Sequence, residues 1–391
     1  MCVALVTYST RARGGVVHTL ALAEALADLG AEVTVHAIGR DGDAAFFRPV
    51  AGNVAVRLAP LPDVPGESVG ARVLRSIAAL AAVVDPHAHD VVHAQDCISA
   101  NAVPGAVRTV HHLDRFTTPE LARCHERALV TPSAHVCVSA AVATELRQGW
   151  GIAATVIPNG VDAERFAAAA SDEPGAVAAR RRWRRRLSAD PVVLAVGGIE
   201  PRKGTIHLPE AMRRLTDADA DTGGRRPARL VIAGGETLFD YRDYRAAFDR
   251  ACAEHGVEPL VLGPVDHDEL PALVAAADVF AFPSEREGFG LAALEALAAG
   301  VPTVMSDLPV LREVFDGAVR FAPHPLTPTG LAGALAEALD TDPDDHAGPD
   351  HRRREAGRAL AHAHRWDAAA RAHLALYERL ASARSARLTH R

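Results

Sequence analysis

Residues 278–305, DVFAFPSEREGFGLAALEALAAGVPTVM, contain a strand, a loop and a helix that lead into a second strand. A short apolar run is followed by residues 284–290, whose composition predicts a turn. A helix is predicted at about 291–299, because Gly300 closes this apolar segment and Pro302 follows it. Strand, helix and strand in this order are typical of a parallel sheet covered by helices. The segment therefore predicts an α/β fold.

The same alternation recurs along the whole chain, and runs that are apolar throughout predict strands buried on both faces. Strands are predicted at about 2–8, 31–37, 90–94, 106–111, 134–138 and 153–157, and at about 192–196, 229–233, 260–262, 278–282 and 301–305. The first helix is predicted over 16–29, with Gly30 as its C-cap. Two doubly wound domains are expected, residues 1–165 and 166–365, with a helix at 366–391 that packs back on the first domain.

Composition excludes several classes of protein. The 391 residues are 49% apolar, with 42 Lys and Arg against 49 Asp and Glu, which indicates a soluble globular chain rather than a disordered one. A net charge of −7 argues against nucleic acid as a partner. Five cysteines without a CxxC pair, and a first segment unlike a signal peptide, favour the cytoplasm. The apolar segments are interrupted before the ~20 residues that span a bilayer.

Two segments depart from this pattern. Residues 163–190 shift to Ala and Arg and are interpreted as a linker with an entry helix. Their arginine run at 180–186 is favoured as a solvated helix face, with a surface for anionic lipid or nucleic acid as the alternative. The tail at about 350–383 predicts a helix with Trp366 and Tyr377 on its apolar side.

The loop that opens the helix at 291 is suited to a diphosphate. Glycines let a backbone approach a ligand closely, and a helix N-terminus offers free amides and partial positive charge. Glu287 in the loop and Glu295 in the helix can accept hydrogen bonds from hydroxyl groups. The other candidate residues of this loop are Gly288, Phe289, Gly290 and Leu291.

The segment VGGIEPRKG at 196–204 also follows a predicted strand. Lys203, expected at the opening of the next helix, and Arg202 could neutralise a diphosphate in place of a metal ion. A cation at a helix N-terminus is disfavoured by the helix dipole, so its presence there indicates an anionic ligand. The glycine pair that includes Gly198 permits close approach of that ligand.

Two further signals lie in the first domain. Gly14 and Gly15 follow the first strand, where open α/β sheets bind ligands, but the GxGxxG fingerprint of NAD sites is absent. In TVHHLDRF, at 109–116, His111 and His112 could hydrogen-bond a sugar or move a proton. A structural histidine pair is one alternative. A metal site is another, although no matched ligand cluster is present in the sequence.

Together these motifs resemble glycosyltransferase family 4, the retaining, nucleotide-sugar-dependent enzymes with the two-domain GT-B fold. The resemblance covers most of the chain, and EGFG followed by a second glutamate is its most specific part. The stretches HAQDCISAN, TVHHLDRFT and GGIEPRKGT further resemble a bacterial subgroup encoded beside nitrilase-type enzymes. Other supporting motifs are SAAVATEL at 139–146, VIPNGVD at 156–162, LVIAGGE at 230–236 and LGPVDHDEL at 262–270.

The resemblance implies two Rossmann-like domains that face each other across a cleft, and transfer of a hexosyl group from a nucleoside diphosphate sugar to a hydroxyl. It also implies that no metal and no cofactor is needed. By resemblance, Lys203 would contact the diphosphate, Glu287 the transferred sugar, Glu295 the ribose and His111 the sugar near the reaction centre. Gly14 and Gly15 would border donor and acceptor, and residues 262–265, with Gly263 and Val265, would hold the base.

One departure from the family pattern concerns the diphosphate. The family commonly has an arginine where Gly198 stands, and we hypothesise that Arg202 compensates. Gln95 and His112 are smaller departures, which leave the choice between a small-molecule and a lipid acceptor open. The base, the sugar and the oligomeric state also stay open, as does a peripheral contact with a membrane.

Proteins of three other classes remain as alternatives. A sugar-nucleotide epimerase with the GT-B fold would convert the donor without an acceptor. A non-catalytic protein would bind the nucleotide sugar without turnover. An NAD-dependent oxidoreductase would need the fingerprint that is missing.

Overall fold

A computed structural model describes residues 1–114, 119–187, 191–221, 227–235, 241–340 and 348–389. Parts of the segments named above, residues 115–117, 188–190, 236 and 390–391, lie outside these ranges. The chain divides into unit 1, Met1–Gly160 with Arg365–Arg391, and unit 2, Val161–His364. The domain limits expected after residues 165 and 365 lie within a few residues of these divisions.

Unit 1 is built on a seven-stranded parallel sheet of described residues, in the order β3-β2-β1-β4-β5-β6-β7. Its elements up to residue 160 are β1 Cys2–Val6, α1 Gly14–Asp28, β2 Glu32–Arg40, β3 Val54–Leu61, α2 Val69–Val83, β4 Val91–Ala94, α3 Cys97–Ala102, β5 Val107–Val110, α4 Pro119–Val130, β6 Ala134–Cys137, α5 Ala140–Trp150 and β7 Thr155–Val156. The strand order reverses between β1 and β4, and in open α/β sheets ligands bind at the carboxyl ends of the strands at such a point.

Unit 2 is built on a six-stranded parallel sheet of described residues, in the order β10-β9-β8-β11-β12-β13. Its elements are α6 Ala163–Ala170, α7 Pro174–Leu187, β8 Val192–Val196, α8 Leu208–Asp221, β9 Arg229–Ala233, α9 Arg242–His255, β10 Leu260–Gly263, α10 Leu270–Ala275, β11 Val279–Phe282, α11 Leu291–Ala298, β12 Thr303–Ser306, α12 Pro309–Phe315, β13 Arg320–Ala322, α13 Pro328–Leu339 and α14 Pro349–Ala363. Two 3-10 turns, Pro201–Lys203 and Thr205–His207, precede α8. Here the order reverses between β8 and β11.

The last helix, α15 at Trp366–Thr389, returns to unit 1 and packs against α1. Tyr377 is fully buried in the core of unit 1, and Trp366 packs against that core. The predicted apolar side of the tail and its packing on the first domain are therefore confirmed. The described residues contain no helix with both the length and the apolarity needed to cross a bilayer.

Three features differ from the sequence-based expectations. Strands β3 and β13, which lie at sheet edges, were not predicted. The tail is two helices, α14 in unit 2 and α15 in unit 1, rather than one. Residues 163–187 form two helices of unit 2, α6 and α7, rather than a linker with a single helix.

Helix α1 also differs from its prediction over 16–29. It begins at Gly14, so the glycine pair forms its first turn rather than a preceding loop. Its buried residues include Val16, Leu20 and Leu22, which do not share one stripe, because α1 packs against both β2 and α15. Gly30 adopts φ +88 directly after the C-cap, as predicted.

Candidate functional site

The main cluster of candidate residues lies in unit 2, where the loops after β8 and β11 meet. The amides of Glu285 and Arg286 donate to the Arg202 carbonyl oxygen at 2.9 and 3.2 Å, which ties the two loops together. Gly204 has φ +60, and a Cβ at this position would lie 2.0 Å from the Pro283 carbonyl oxygen. Only glycine fits this crossing. The loops therefore hold Arg202 and Lys203 at the switch point of the sheet.

Both predicted cations converge on one carboxylate oxygen. Lys203 Nζ donates to Glu287 Oε2 at 2.8 Å, and Arg202 Nη1 donates to the same oxygen at 3.2 Å. The second carboxylate oxygen, Glu287 Oε1, accepts the Gly288 amide at 3.2 Å. Arg202 also pairs with Glu200 at 3.0 Å. Three of the predicted residues are thus brought together, and Glu200 is a fourth member that the sequence did not single out.

The placement of Lys203 differs from the expectation. It lies in the 3-10 turn Pro201–Lys203, before α8 begins at Leu208, so the dipole of α8 does not explain its role. Burial lowers the pKa of Lys203, and the neighbouring Glu287 carboxylate opposes that shift. The Lys203 ammonium also lies 4.7 Å from the centroid of the Phe282 ring. Its position is therefore set by a carboxylate and an aromatic face.

The loop that opens α11 uses its glycines partly for packing. Gly290 is the N-cap and has φ +108, and a Cβ there would lie 2.9 Å from the Phe315 ring. Phe289 is 3% exposed, with its ring against His364 at 5.5 Å, so its side chain belongs to the core. Ligand binding by the backbone amides at the start of α11 stays a prediction for this loop.

Glu295 lies in α11, apart from the Lys203 cluster. Burial raises its pKa to about 7, with Arg165 favouring the charged form and Asp162 disfavouring it. Arg165 itself donates to the carbonyl oxygen of His267. No periodic or motif signal pointed to Arg165, which is a further residue of this region.

The remaining candidates of unit 2 are backbone positions. Gly263 ends β10 with φ +69, and its carbonyl oxygen accepts the Gly234 amide at 2.9 Å. Val265 follows it in the loop before α10 and is half-buried. Gly198 lies two residues after Val196, where β8 ends.

In unit 1, Gly15 and His111 come together. A Cβ at Gly15 would lie 3.7 Å from both Cδ2 and Nε2 of His111, so the first turn of α1 faces the His111 ring. Gly14 begins the same turn. His112 instead pairs with Asp114 at 3.3 Å. The two adjacent histidines therefore have different surroundings.

Metal ligation is not supported by the described part of the chain, which contains no group of three or more His, Cys, Asp or Glu residues able to hold an ion. His93 uses both ring nitrogens in hydrogen bonds, to the Tyr377 hydroxyl at 2.6 Å and to the Thr109 hydroxyl at 2.8 Å. His93 is therefore part of the core.

Several arginines of α7 serve unit 2 itself. Arg184 forms two hydrogen bonds with Asp278, at 2.5 and 2.6 Å. Arg182 and the Trp183 indole both donate to Glu269. The arginine run is thus partly a packing surface of unit 2 rather than a face solvated throughout, and the alternative of a surface for anionic lipid or nucleic acid stays a prediction.

Comparison with known proteins agrees with this architecture. Residues 12–165 match the family model Glycosyltransferase Family 4, and residues 179–359 match Glycosyl transferases group 1. Glycogen synthase of Mycobacterium tuberculosis is 34% identical over 224 residues, which are 57% of this chain and 48% of the relative. The chain thus matches about half the length of this relative.

Solved structures share the fold over nearly the whole chain. Sucrose-phosphate synthase from Thermosynechococcus elongatus has a TM-score of 0.75 at 21% identity, covering 98% of this chain and 99% of that one. HepE from Anabaena, solved with UDP and glucose, has a TM-score of 0.70 at 21% identity, covering 97% and 99%. Two parallel-sheet domains with these matches give the chain the GT-B architecture, and its two halves match glycosyltransferase family models.

Proposed function

We propose that this protein is a glycosyltransferase that moves a hexosyl group from a nucleoside diphosphate sugar to a hydroxyl acceptor, with retention at the anomeric carbon. The observation that carries the proposal is the convergence of Lys203 and Arg202 on a single Glu287 oxygen. Two fixed cations at a sheet's switch point form a site for a dianionic leaving group. The solved relative HepE holds UDP and glucose, which is consistent with a nucleotide-sugar donor.

In the proposed reaction, the bond between the anomeric carbon and the diphosphate oxygen breaks, and a bond from that carbon to the acceptor oxygen forms. The acceptor attacks from the face of departure, and its proton passes to the leaving phosphate. Negative charge builds on the diphosphate as the first bond lengthens. Lys203, Arg202 and the amides at the start of α11 stabilise that charge more strongly in the transition state than in the ground state, which lowers the barrier.

The other candidates take supporting roles in this proposal. Glu287 and His111 hydrogen-bond the transferred sugar, and Glu295 hydrogen-bonds the ribose. Gly263 and Val265 face the base with backbone groups. Gly14 and Gly15 leave room for the sugar and the acceptor beside His111, since a side chain at Gly15 would contact that ring.

We further propose that the reaction needs no metal ion or cofactor, because the charge that a divalent cation would supply is provided by Lys203 and Arg202. Incubation with EDTA is therefore expected to leave the transfer rate unchanged. A rate that is lost with EDTA and restored by Mg²⁺ or Mn²⁺ contradicts this part of the proposal.

The donor is tested first by thermal shift with UDP-, GDP- and ADP-sugars, because a ligand that binds only the native state raises Tm. The sugar nucleotide that binds is then incubated with candidate small-molecule and lipid acceptors. Formation of a glycoside with the donor's anomeric configuration supports the proposal. Conversion of the donor without an acceptor identifies an epimerase, and binding without turnover identifies a non-catalytic protein.

A further inference from the structure

A buried histidine of α1, His18, is held in a single orientation. His18 is 1% exposed, and its Nδ1 lies 2.9 Å from Oδ1 of Asn159, which is 4% exposed. A carbonyl oxygen can only accept, so Nδ1 carries the hydrogen and donates it. Burial holds the pKa of His18 well below its usual range, so the ring is neutral. This bond joins helix α1 to residues that follow β7.

The ring of His18 is also confined by an aromatic neighbour. Trp366, the first residue of α15, meets it edge-on with ring centroids 5.4 Å apart and an interplanar angle of 73°. A hydrogen bond to Asn159 together with a ring contact to Trp366 leaves the buried imidazole little freedom to rotate. His18 is therefore a rigid group.

This rigid ring lies against His111. The two ring centroids are 4.8 Å apart at an interplanar angle of 80°, an edge-to-face contact. Gly15 faces the same His111 ring and lies three residues before His18, so both are on one face of α1. The His111 ring thus lies against helix α1, with Gly15 on one side and the fixed ring of His18 beside it.

We infer that His18, fixed by Asn159, is a positioning residue that sets the orientation of the His111 ring. The inference rests on the proposed function, in which His111 hydrogen-bonds the transferred sugar. A misdirected His111 would weaken a bond needed in the transition state, so the loss should appear in kcat more than in the KM for the donor. His18 itself touches no substrate.

The test compares three substitutions with a matched control. His18→Ala removes the ring edge, His18→Phe restores an aromatic edge without the Asn159 bond, and Asn159→Ala removes only that bond. His373→Ala is the control, because His373 is also fully buried, its ring centroid lies 6.4 Å from that of His18, and its Nδ1 bonds the Ala369 carbonyl oxygen. Transfer kinetics and Tm are measured for each variant.

For His18→Ala we expect kcat to fall at least tenfold, with the donor KM within threefold of the wild-type value. His18→Phe should recover part of the loss, and Asn159→Ala should lie between His18→Ala and the wild type. The control should lower Tm without changing kcat by more than threefold. An unchanged kcat in His18→Ala, or an equal loss in His373→Ala, overturns the inference.

A second readout separates this inference from the proposed function. The ring resonances of His111 are followed by NMR in the ligand-free chain and assigned with His111→Gln. His18→Ala should shift them, and His373→Ala should leave them in place. If the wild type transfers no sugar, the proposed function fails. The NMR comparison then tests the positioning role of His18 without any transfer assay. Unshifted His111 signals in His18→Ala refute that role.

Discussion

Replacing Glu287 with Gln should strengthen the binding of a free diphosphate while it weakens sugar transfer. In the ligand-free protein the Glu287 carboxylate accepts hydrogen bonds from Lys203 and Arg202, the two groups assigned to the diphosphate. A diphosphate must therefore compete with a carboxylate that is already in contact with its cations. Glutamine has nearly the same shape but no charge, so it competes less, although its side-chain oxygen can still accept hydrogen bonds from both cations.

The size of the effect follows from these two contacts. The Lys203 and Glu287 side chains are 17% and 12% exposed, so solvent screens their interaction only in part. A hydrogen bond to a charged group contributes about 1.5–3 kcal/mol, against about 1 kcal/mol for a neutral one. Two bonds that each lose about 1 kcal/mol correspond to roughly thirtyfold tighter binding. The transfer rate should fall, because the sugar loses a charged hydrogen-bond acceptor.

Isothermal titration with inorganic pyrophosphate and with UDP, GDP and ADP measures the affinity for the diphosphate group, whichever nucleotide base the natural donor carries. Glu200→Gln is the matched control, since Glu200 pairs with Arg202 at 3.0 Å, whereas Lys203 pairs with Glu287. The gain in this control should be under about tenfold. Affinity within threefold of wild type in a folded Glu287→Gln protein would refute the reasoning.

Three further perturbations have expected outcomes. Arg202→Ala should weaken donor binding strongly while the fold stays intact, and a change below threefold, about 0.7 kcal/mol, in titration calorimetry contradicts a diphosphate role for Arg202. Burial lowers the pKa of His373 to about 4, so below pH ~6.5 the unfolded chain binds a proton that the native state does not. The contribution of this group to the free energy of unfolding is thus fully present above pH 6.5 and should fall by about 1.4 kcal/mol per pH unit as the pH drops towards 4. Urea unfolding of the wild type and of His373→Leu over this pH range checks the expectation. If the free energies of unfolding of the two proteins change in parallel with pH, the expectation is contradicted. Gly290→Ala should cost about 1–3 kcal/mol in the same assay, because φ +108 and the Phe315 ring oppose a Cβ, and an unchanged midpoint contradicts that packing role.

The sequence predicted every described strand with neighbours on both sides and the edge strands β7 and β10, but it missed the edge strands β3 and β13. β1 and β8 are central and nearly fully buried, so they appear as continuous apolar runs. β3 lies at a sheet edge with most residues at least partly exposed, and it contains Pro60. β13, also at an edge, has three residues. A criterion based on burial on both faces therefore finds the centre of each sheet and misses these edges.

Tertiary contacts, rather than local signals, account for two helix errors. The tail breaks between Ala363 and Trp366 without glycine or proline, where one helix packs in unit 2 and the next packs in unit 1. Helix α1 is buried against both the sheet and α15, so its buried residues lie on more than one face. A single histidine in such an apolar helix gives no periodic signal, and the sequence therefore did not single out His18. The Lys203–Glu287 contact joins residues far apart in sequence and requires the strand order, which places β8 beside β11.

The Lys203–Glu287 contact also bears on the charge that Lys203 needs in the proposed reaction. A lysine that stabilises a leaving group must be positive when the donor arrives, yet burial lowers the pKa of Lys203. Glu287 opposes that shift in the ligand-free protein by providing a negative charge 2.8 Å away. When a diphosphate takes over this role, the carboxylate is released to accept hydrogen bonds from the sugar. In the proposed reaction, one residue thus favours the charged form of the lysine before binding and contacts the sugar after it, and a neutral hydrogen-bond acceptor could serve only the second purpose.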